Sequence, residues 1–561
     1  MVGLLLRIFN REWSGLHEAA FLLAGTALLS QLLGLARDRL LAAHLGAGGA
    51  LDVYYAAFRV PDFLYASIAS FVAVTVLIPF LLEKLERGDD LAEARQFINM
   101  VFTVFAGAMA LTVAVCYVLM PHLASFVVPG FSGPAQAEFV TLSRILLLSP
   151  FLLGISNLFG AVTQSLRRFF VFAAGPVLYN VGILIGIVFL MPRYGLSGVV
   201  WGVILGALFH VAIQLPVLLS GGFVPRITKR IVWSDIGHVM GLSLPRTLAL
   251  SAGNFSMIIL VGIASQITTG SIAVFTLALN LQSIPLAIIG MSYSVAAFPT
   301  LAKLWTKGNH EEFLDHIVVA MRHIMFWSFP AIVLFIVLRA QIVRTILGSG
   351  AFDWTATRLT AAALALFAVS LVAQNLVLLL TRAFYAMGRT RLPLIANMAG
   401  AILVVFLSFF FLSLFHAHAT FRYFAETLLR VTDIPGTALL MLPLGYSLGM
   451  MANVFFLLFF LKKEFVPVLL GAKKAFLHSF TTSIVMGFVA YHGLQVFAPL
   501  FDLDTFIGIF SQGFFAGVVG IFSGLFLLHI MDNKELEEIK VSLHKKFWKA
   551  HPIAVGEETG L

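Results

Sequence analysis

Residues 34–63 read GLARDRLLAAHLGAGGALDVYYAAFRVPDF, a stretch in which six charged side chains and one histidine interrupt an otherwise apolar sequence. The apolar runs around it, 18–42 and 53–82, are each long enough to cross the hydrocarbon core of a membrane as a helix, which takes about 20 residues. The glycines between them indicate a tight turn. The stretch therefore predicts two membrane-spanning helices that are joined by a short outer turn and carry charges inside the membrane.

The composition of the whole chain supports a membrane environment. The 561 residues are 60% hydrophobic and only 11% charged, and the mean hydropathy is +0.98. Soluble proteins carry about 25% charged residues, so this chain has too little charge to cover a water-exposed surface. The single cysteine, Cys116, lies in an apolar run, which excludes a disulfide framework within one chain.

Apolar runs of spanning length recur along the rest of the chain. We predict an all-α polytopic membrane protein with about fourteen transmembrane helices. The predicted spans lie near 18–42, 53–82, 98–122, 139–164, 170–191, 196–220, 237–266, 271–302, 313–338, 356–386, 392–415, 436–461, 472–498 and 505–531.

The lysines and arginines fall mainly on one side of these spans. If the N-terminus is cytoplasmic, about 23 of them lie in inside segments and about 6 in outside loops, which is the bias that cytoplasmic loops show. We therefore expect a multi-pass protein of the cytoplasmic (inner) membrane with both termini in the cytoplasm. The same placement accounts for the net charge of +9, so no nucleic-acid partner is expected.

An internal repeat indicates two related halves. PFLLEKLERGD at 79–89 matches PTLAKLWTKGN at 299–309, and Pro176 with Asn180 matches Pro393 with Asn397. Because six spans restore the orientation, the repeats are expected to be parallel, with a binding site between them. We predict an amphipathic lead-in at 1–17, followed by an N-lobe of six spans at 18–225 and a C-lobe of six spans at 226–463. Two C-terminal helices at 464–531 and an amphipathic cytoplasmic tail at 532–561 complete the chain.

Charges inside the first two predicted spans are the first candidate site residues. Arg37, Asp38, Asp52 and Arg59 lie there, and charge within a membrane is costly unless it faces a partner or a cavity. In one interpretation Arg37 and Asp38 pair with each other or reach an interface. In the other they belong to the wall of an aqueous cleft, where guanidinium groups suit pyrophosphate oxygens.

Polar side chains on the seventh and eighth predicted spans are the second set. Arg246, Ser251, Asn254 and Ser256 lie on one span, and Asn280 lies on the next. Serine and asparagine in spans serve either as bonds between helices or as ligands, and Arg246 is close enough to the inner end to reach the interface. Both interpretations, as bonds between helices and as ligands, remain possible for these residues.

Motifs for catalysis are absent from the sequence. It contains no phosphate-binding loop G-x-x-x-x-G-K-[ST], no H-E-x-x-H and no G-x-S-x-G motif. We therefore expect a transporter without an ATPase motif, no enzyme activity, no cofactor and no metal site.

Four segments together resemble one known family. LLGLARDRLLAAHLGAGGALDVYYAAFRVPDFL at 32–64 resembles the opening signature of the MurJ (MviN) lipid II flippases, within the multidrug/oligosaccharidyl-lipid/polysaccharide exporter superfamily. PAIVLFIVLRAQIVRTILGSGAFDWTAT at 330–357 resembles that family's connection between the ninth and tenth helices. TRAFYAMGRTRLP at 381–393 resembles its R-x-F-Y-A motif, and PTLAKL with Gly308 resembles the end of its eighth helix.

The resemblance implies two pseudo-symmetric six-helix lobes around a central cleft, with two further helices that form a groove for a lipid tail. It implies alternating-access export of lipid II, the undecaprenyl-pyrophosphate-linked peptidoglycan precursor, across the bacterial inner membrane. Membrane lipids and cell-wall synthesis proteins are the other expected partners.

The resemblance also assigns roles to individual residues. Arg37 and Asp38 match the cleft pair of the first helix, and Asp52 matches the acidic residue that opens the second. Arg59 matches a basic position there. Ser251 and Ser256 match polar positions of the seventh helix.

Several positions depart from the family pattern. Gln31 replaces a basic residue, Tyr65 lies near an arginine position, and Asn280 stands where the eighth helix usually has a cleft arginine. We hypothesise that Arg246 replaces one of the missing charges and that Asn280 stands in for the arginine. Asp38 and Asp52 would balance charge or couple to ions. Two alternatives remain: an exporter of another polyprenol-linked glycan or amphiphile, and a non-transporting envelope scaffold.

Overall fold

The computed structural model of the chain describes residues 16–68, 77–78, 80–81, 92–166, 168–461 and 465–547. Within these ranges all regular structure is helical and no strand is present. The predicted all-α class is therefore confirmed. The lead-in at 1–17 lies almost entirely outside the described residues, as does the first copy of the repeat at 79–89.

The described residues of the first half of the chain form twelve α-helices and one π-helical turn. They are α1 Leu16–Leu45, α2 Gly49–Ala57, α3 Arg59–Ser67, α4 Ala92–Val127, α5 Gly133–Leu146, α6 Leu148–Ser165, α7 Phe169–Ile185, the π-turn Gly186–Leu190, α8 Met191–Tyr194, α9 Leu196–Ala212, α10 Leu215–Gly221, α11 Trp233–Ser265 and α12 Ser271–Pro285.

In the second half, the part of the chain that the structure describes adds eleven α-helices, one π-helical turn and two short 3₁₀ turns. They are the π-turn Leu286–Met291, α13 Ser292–Thr306, α14 His310–Val337, α15 Arg339–Leu347, α16 Trp354–Ala368, α17 Leu371–Ala386, α18 Arg391–Ala417, α19 Ala419–Leu429, the 3₁₀ turn Thr437–Leu440, α20 Met441–Phe459, α21 Phe465–Phe497, the 3₁₀ turn Ala498–Leu500, α22 Phe506–Ile530 and α23 Lys534–Phe547.

Most of the predicted spans correspond to long apolar helices. Among the described residues, 11 helices are long and apolar enough to cross a membrane, or 12 when α16 and α17 count as one broken span. These correspond to the third to fourteenth predicted spans. The first predicted span is the 30-residue helix α1, and the second begins with α2 and α3 and continues outside the described residues. The count of fourteen stays a prediction.

The break between α2 and α3 follows from Pro61. A proline has no backbone N–H to donate to the carbonyl four residues earlier, here that of Ala57, the last residue of α2. The chain turns at Phe58 and starts a new helix at Arg59. The break places Arg59 at the first residue of α3, inside the predicted span.

The first of two compact units comprises residues 1–284, 343–367 and 389–453. In it, α7 and α9 pack along a row of glycines. A Cβ built on Gly202 would lie 2.4 Å from the Cα of Gly186, and one built on Gly182 would lie 2.3 Å from the Cα of Gly206. Small residues allow this close approach of backbones, which is a common way for helices to associate in lipid.

The second unit comprises residues 285–342, 368–388 and 454–561. Phe329 of α14 packs edge-to-face against Phe476 and Phe480 of α21. The last described helix, α23, packs Leu536 against Phe326 and Leu528. The tail predicted at 532–561 is thus helical over 534–547, and part of its apolar face contacts protein. The division into lobes at residue 225 stays a prediction.

The glycine row predicts the effect of a single substitution. Leucine at Gly202 would force α7 and α9 apart, so Gly202→Leu should lower the free energy of unfolding by about 3 kcal/mol or more. Thermal unfolding of the purified protein in detergent measures this. Gly107→Leu is the control, because nothing lies within 4 Å of a Cβ at Gly107 of α4. Equal melting temperatures for the two variants would contradict the packing.

Candidate functional site

The polar residues of α1, α2 and α3 meet a single face of α12. Ala273, Thr276 and Asn280 lie three and four residues apart along this helix, and residues at such spacing point in the same direction. Each of the three makes a hydrogen bond to a different charged residue from the first part of the chain. We call these three contacts the α12 ladder.

Asp52 forms the first contact of the ladder. Its Oδ2 accepts a hydrogen bond of 2.5 Å from the Gly270 amide, and its Oδ1 accepts one of 2.7 Å from the Ala273 amide. The first amides of a helix have no partner within the helix, and that end carries partial positive charge. Asp52, only 3% exposed, therefore caps α12 from a helix more than 200 positions earlier.

Arg59 forms the second contact. One of its terminal nitrogens (Nη2) donates to the Thr276 hydroxyl at 3.3 Å, a long hydrogen bond. Its Nε is buried and has no hydrogen-bond partner among the described residues. Asp62, one turn further along α3, is exposed and interacts electrostatically with Arg59. The guanidinium of Arg59 thus keeps donor capacity that none of the described residues uses.

Asp38 forms the third contact and joins two predicted site residues. Its Oδ1 accepts from Arg37 Nε at 2.9 Å, and its Oδ2 accepts from the Asn280 amide at 3.0 Å. Asp38 is 3% exposed, while the Arg37 side chain is 24% exposed. The structure therefore contains the Arg37–Asp38 pair and leaves part of the guanidinium open. Asn280 binds the carboxylate that an arginine at this position could have paired with.

A second set of bonds holds the end of α1 that leads into the 46–50 turn. Arg39 donates to the Thr345 carbonyl at 2.5 Å, and the Ala351 amide donates to the Ala43 carbonyl at 2.8 Å. Gly350 has a φ of +58°, and a Cβ there would lie 2.3 Å from the Ala43 carbonyl oxygen. Only glycine suits this position, and the sequence reasoning did not identify these contacts.

The polar residues of α11 are not gathered in one place. The Ser251 hydroxyl lies 2.9 Å from that of Ser67 on α3, whereas Ser256 donates to the Ala401 carbonyl of α18 at 3.2 Å. Asn254 donates to the Leu250 carbonyl of its own helix at 3.1 Å. Ser251 thus lies beside the helix of Arg59, while Ser256 bonds α11 to α18. The Arg246 side chain lies outside the described residues.

Tyrosines complete the surroundings of the two arginines, and the sequence reasoning gave them no role. Tyr54 and Tyr55 of α2 lie near Arg37, and Tyr55 also lies near Arg59. The Tyr55 hydroxyl is buried without a hydrogen-bond partner among the described residues. The adjacent pair YY at 54–55, within the charged stretch itself, was the available signal.

The chemistry of this arrangement favours an anion. Arg59 Nε and the Tyr55 hydroxyl are buried donors without a partner among the described residues, and leaving a buried donor unpaired costs about 1–3 kcal/mol. Oxygens of a phosphate group would satisfy such donors and gain charge-assisted bonds from both arginines. Asp38 and Asp62 moderate the positive charge.

The sequence over most of the chain matches one family. The family described as "Lipid II flippase MurJ" matches residues 41–511. The chain belongs to the MurJ family. Asp52, Arg59 and Asn280 lie within the matched residues, and Arg37 and Asp38 lie just before them.

Individual proteins of the MurJ family, and a solved structure from outside it, are similar to this chain in sequence or in fold. A protein of Burkholderia cenocepacia named lipid II flippase MurJ is 27% identical over 399 residues, which cover 70% of this chain and 77% of that protein. A solved structure of lipid II flippase MurJ in an inward closed conformation superposes with a TM-score of 0.70 at 19% identity, covering 91% of this chain and all of that one. An inward-facing MATE family transporter of the MOP superfamily superposes with a TM-score of 0.61 at 16% identity, covering 80% and 94%.

Membership of the MurJ family makes this a multi-pass membrane protein of a transporter family, with the fold of the MurJ structure. The residues of the α12 ladder are part of that fold's first unit here. Their roles in transport remain proposals.

The cap at Asp52 leads to a prediction. Asparagine has a single acceptor oxygen, so Asp52→Asn would leave one α12 amide unpaired and remove a charge-assisted bond. We expect a loss of about 1.5–3 kcal/mol and faster hydrogen exchange at Gly270 and Ala273, measured by mass spectrometry on peptides that cover the start of α12.

Asp433→Asn is the matched control. Asp433 also accepts two hydrogen bonds of 2.7 Å, both from Arg358, but its side chain is 64% exposed, and exposed pairs contribute about 1 kcal/mol or less. Unchanged exchange at α12 in Asp52→Asn would show that the cap does not hold the helix end.

Proposed function

We propose that the protein carries lipid II from the inner to the outer leaflet of the bacterial cytoplasmic membrane by alternating access, for cell-wall synthesis. The observation that carries the proposal is the MurJ family match over residues 41–511, together with two arginines that the fold places beside unpaired buried donors. Lipid II joins a polyprenol to its headgroup through a pyrophosphate, and arginine forks fit such oxygens.

Arg37 and Arg59 are the proposed pyrophosphate ligands. Arg37 has an open side because only part of its guanidinium binds Asp38. Among the described residues, the hydrogen bond of Arg59 is the long one to Thr276. The proposed roles of Arg246 and Asn280 are a replacement cation and a neutral donor. Ser251 and Asn254 could contact the headgroup from α11, whereas Ser256 serves chiefly to bond α11 to α18.

The carboxylates are proposed to set the charge of the site. Asp38 and Asp62 each lie near an arginine, so an incoming pyrophosphate must compete with an acidic group for a cation. Asp52, proposed from sequence as a coupling residue, is occupied by two amides of α12 and would act only when those bonds open. If the membrane potential drives transport, moving one elementary charge across the membrane supplies about 2.3 kcal/mol of free energy per 100 mV.

Alternating access requires the ladder and the neighbouring bonds to break. The bonds of Arg39 and Ala351 tie the end of α1 to residues 345–351, which the charge bias places on the outer side. Release outward would need these contacts and the Asp52 cap to open. This proposal keeps both termini in the cytoplasm.

Helices α21 and α22, the predicted groove helices at 464–531, are proposed to meet the lipid tail. They expose large apolar side chains, among them Ile484, Phe488, Phe514 and Phe522. A polyprenol chain could lie along such a surface while the headgroup moves.

A different lipid-linked glycan is the second candidate cargo. Asn280 supplies no positive charge, and each described arginine of the site has a carboxylate nearby. A less negative headgroup than that of lipid II would fit these charges better.

The test is replacement of a bacterium's own lipid II flippase by this protein, with labelled precursor on the outer leaflet as the readout. The full-length chain should support growth and outward precursor, and Arg37→Ala should abolish both at normal protein levels. Arg193→Ala, an exposed arginine at the end of α8, is the control and should behave as the parent. Transport at the normal rate by Arg37→Ala would contradict its role. A well-inserted parent that moves no precursor would favour the second cargo.

A further inference from the structure

A cavity of about 220 Å³ lies within the second unit, among helices α14, α21 and α23. Basic side chains line most of it: Arg322 from α14, Lys474 and His478 from α21, and Lys534 from the start of α23. The volume is several times the share of a water molecule in the liquid, about 30 Å³. The cavity can therefore hold a small polar group.

Helix α21 turns one complete face toward this cavity. Gly471, Lys474, Ala475 and His478 all line it, and their spacing of three, one and three residues is that of one helical stripe. Gly471 and Ala475 have little or no side chain, while Lys474 and His478 supply donors. These small and basic residues give the cavity a polar wall on the side of α21, a helix that elsewhere exposes apolar groups. We call this cavity the recess.

The charges of the recess do not cancel. Arg322 donates to Glu535 at 2.6 Å, and the Glu535 side chain is 3% exposed. Burial opposes ionisation of Glu535, but the hydrogen bond and charge of Arg322 outweigh it, so its pKa lies below its ordinary value. The Arg322–Glu535 pair is thus neutral as a whole. Glu538, half-exposed, lies 3.8 Å from Arg322 Nη2, and its other carboxylate oxygen lies 2.9 Å from His323 Nε2 on the same helix. Lys474 and Lys534 remain, and neither has a partner among the described residues.

The surroundings of the recess are those of a membrane interface. On α21, Leu470 and Leu477 flank Lys474 and are 62% and 48% exposed. An ammonium group bordered by exposed leucines is typical of the level at which lipid headgroups meet acyl chains. The charge bias along the sequence places this end of α21 on the cytoplasmic side.

We propose that this recess binds the phosphate group of an anionic phospholipid in the inner leaflet. Lys474 and Lys534 would bind the phosphate oxygens, His478 would add a donor, and the acyl chains would lie on Leu470 and Leu477. Basic pockets between helices on the cytoplasmic side are a recognised mode of binding for phosphate-bearing headgroups.

A bound headgroup would also fasten α23. Lys474 belongs to α21 and Lys534 to α23, so a phosphate between them joins the two helices. The Arg322–Glu535 pair and the contact of Leu536 with Phe326 already hold α23 from the side of α14. The lipid would therefore add a contact between α23 and α21 and should stabilise the unit.

The experiment uses the full chain in detergent and two variants, Lys474→Gln/Lys534→Gln and the control Lys540→Gln. Lys540 is also on α23 but pairs with Glu537 at 2.7 Å and does not line the recess. Thermal unfolding is recorded with added phosphatidylglycerol, phosphatidylcholine or inorganic phosphate, and retained lipid is counted by native mass spectrometry.

Phosphatidylglycerol should raise the melting temperature of the parent and of Lys540→Gln by several degrees, and phosphatidylcholine should not. The double variant should lose this rise and retain at least fivefold less anionic lipid. An equal rise with inorganic phosphate, lost in the double variant, would support phosphate recognition but assign the ligand to free phosphate. An unchanged response in the double variant, or equal effects of the two lipids, would overturn the proposal. None of these outcomes depends on transport of lipid II.

Discussion

The carboxylates of Asp52 and Asp38 and the guanidinium of Arg59 all meet one face of α12, and the first unit depends on these contacts. A membrane interior offers no water to polar groups, so a charge there must face a partner or a hydrated cavity. The ladder provides such partners. Asp52 is fully used by two backbone amides, whereas Arg37 and Arg59 are held only in part and keep donors for a ligand.

Sequence reasoning predicted the helical spans and the charged stretch, but not the partners of its residues. Spans are readable because about 20 apolar residues are needed at each crossing, whereas a hydrogen bond between Asp52 and Gly270 joins positions 218 apart, which no local pattern indicates. Ser251 and Ser256 looked alike in sequence, yet one bonds toward α3 and the other to α18. The partner of each serine depends on which helix packs against its side of α11.

The α12 ladder shows what the departure from the family pattern at Asn280 does to the contacts of α12. Asn280 can still donate to Asp38, so the contact between α1 and α12 persists without the arginine's charge. The result is a site in which each described arginine has an acidic neighbour. In the proposed function, such a site would bind an anion by exchanging partners, which would make binding weaker but the release of the headgroup easier.

The most direct test of the account is a reversible lock across the start of α12. A Cβ on Gly49 would lie 3.3 Å from Thr269 Cγ2, so cysteines at these positions fit a disulfide. The variant Gly49→Cys/Thr269→Cys is made with Cys116→Ala, and outward movement of labelled lipid II is followed before oxidation, after it and after reduction. The account predicts that oxidation stops transport and reduction restores it. Undiminished transport with both thiols consumed would contradict it.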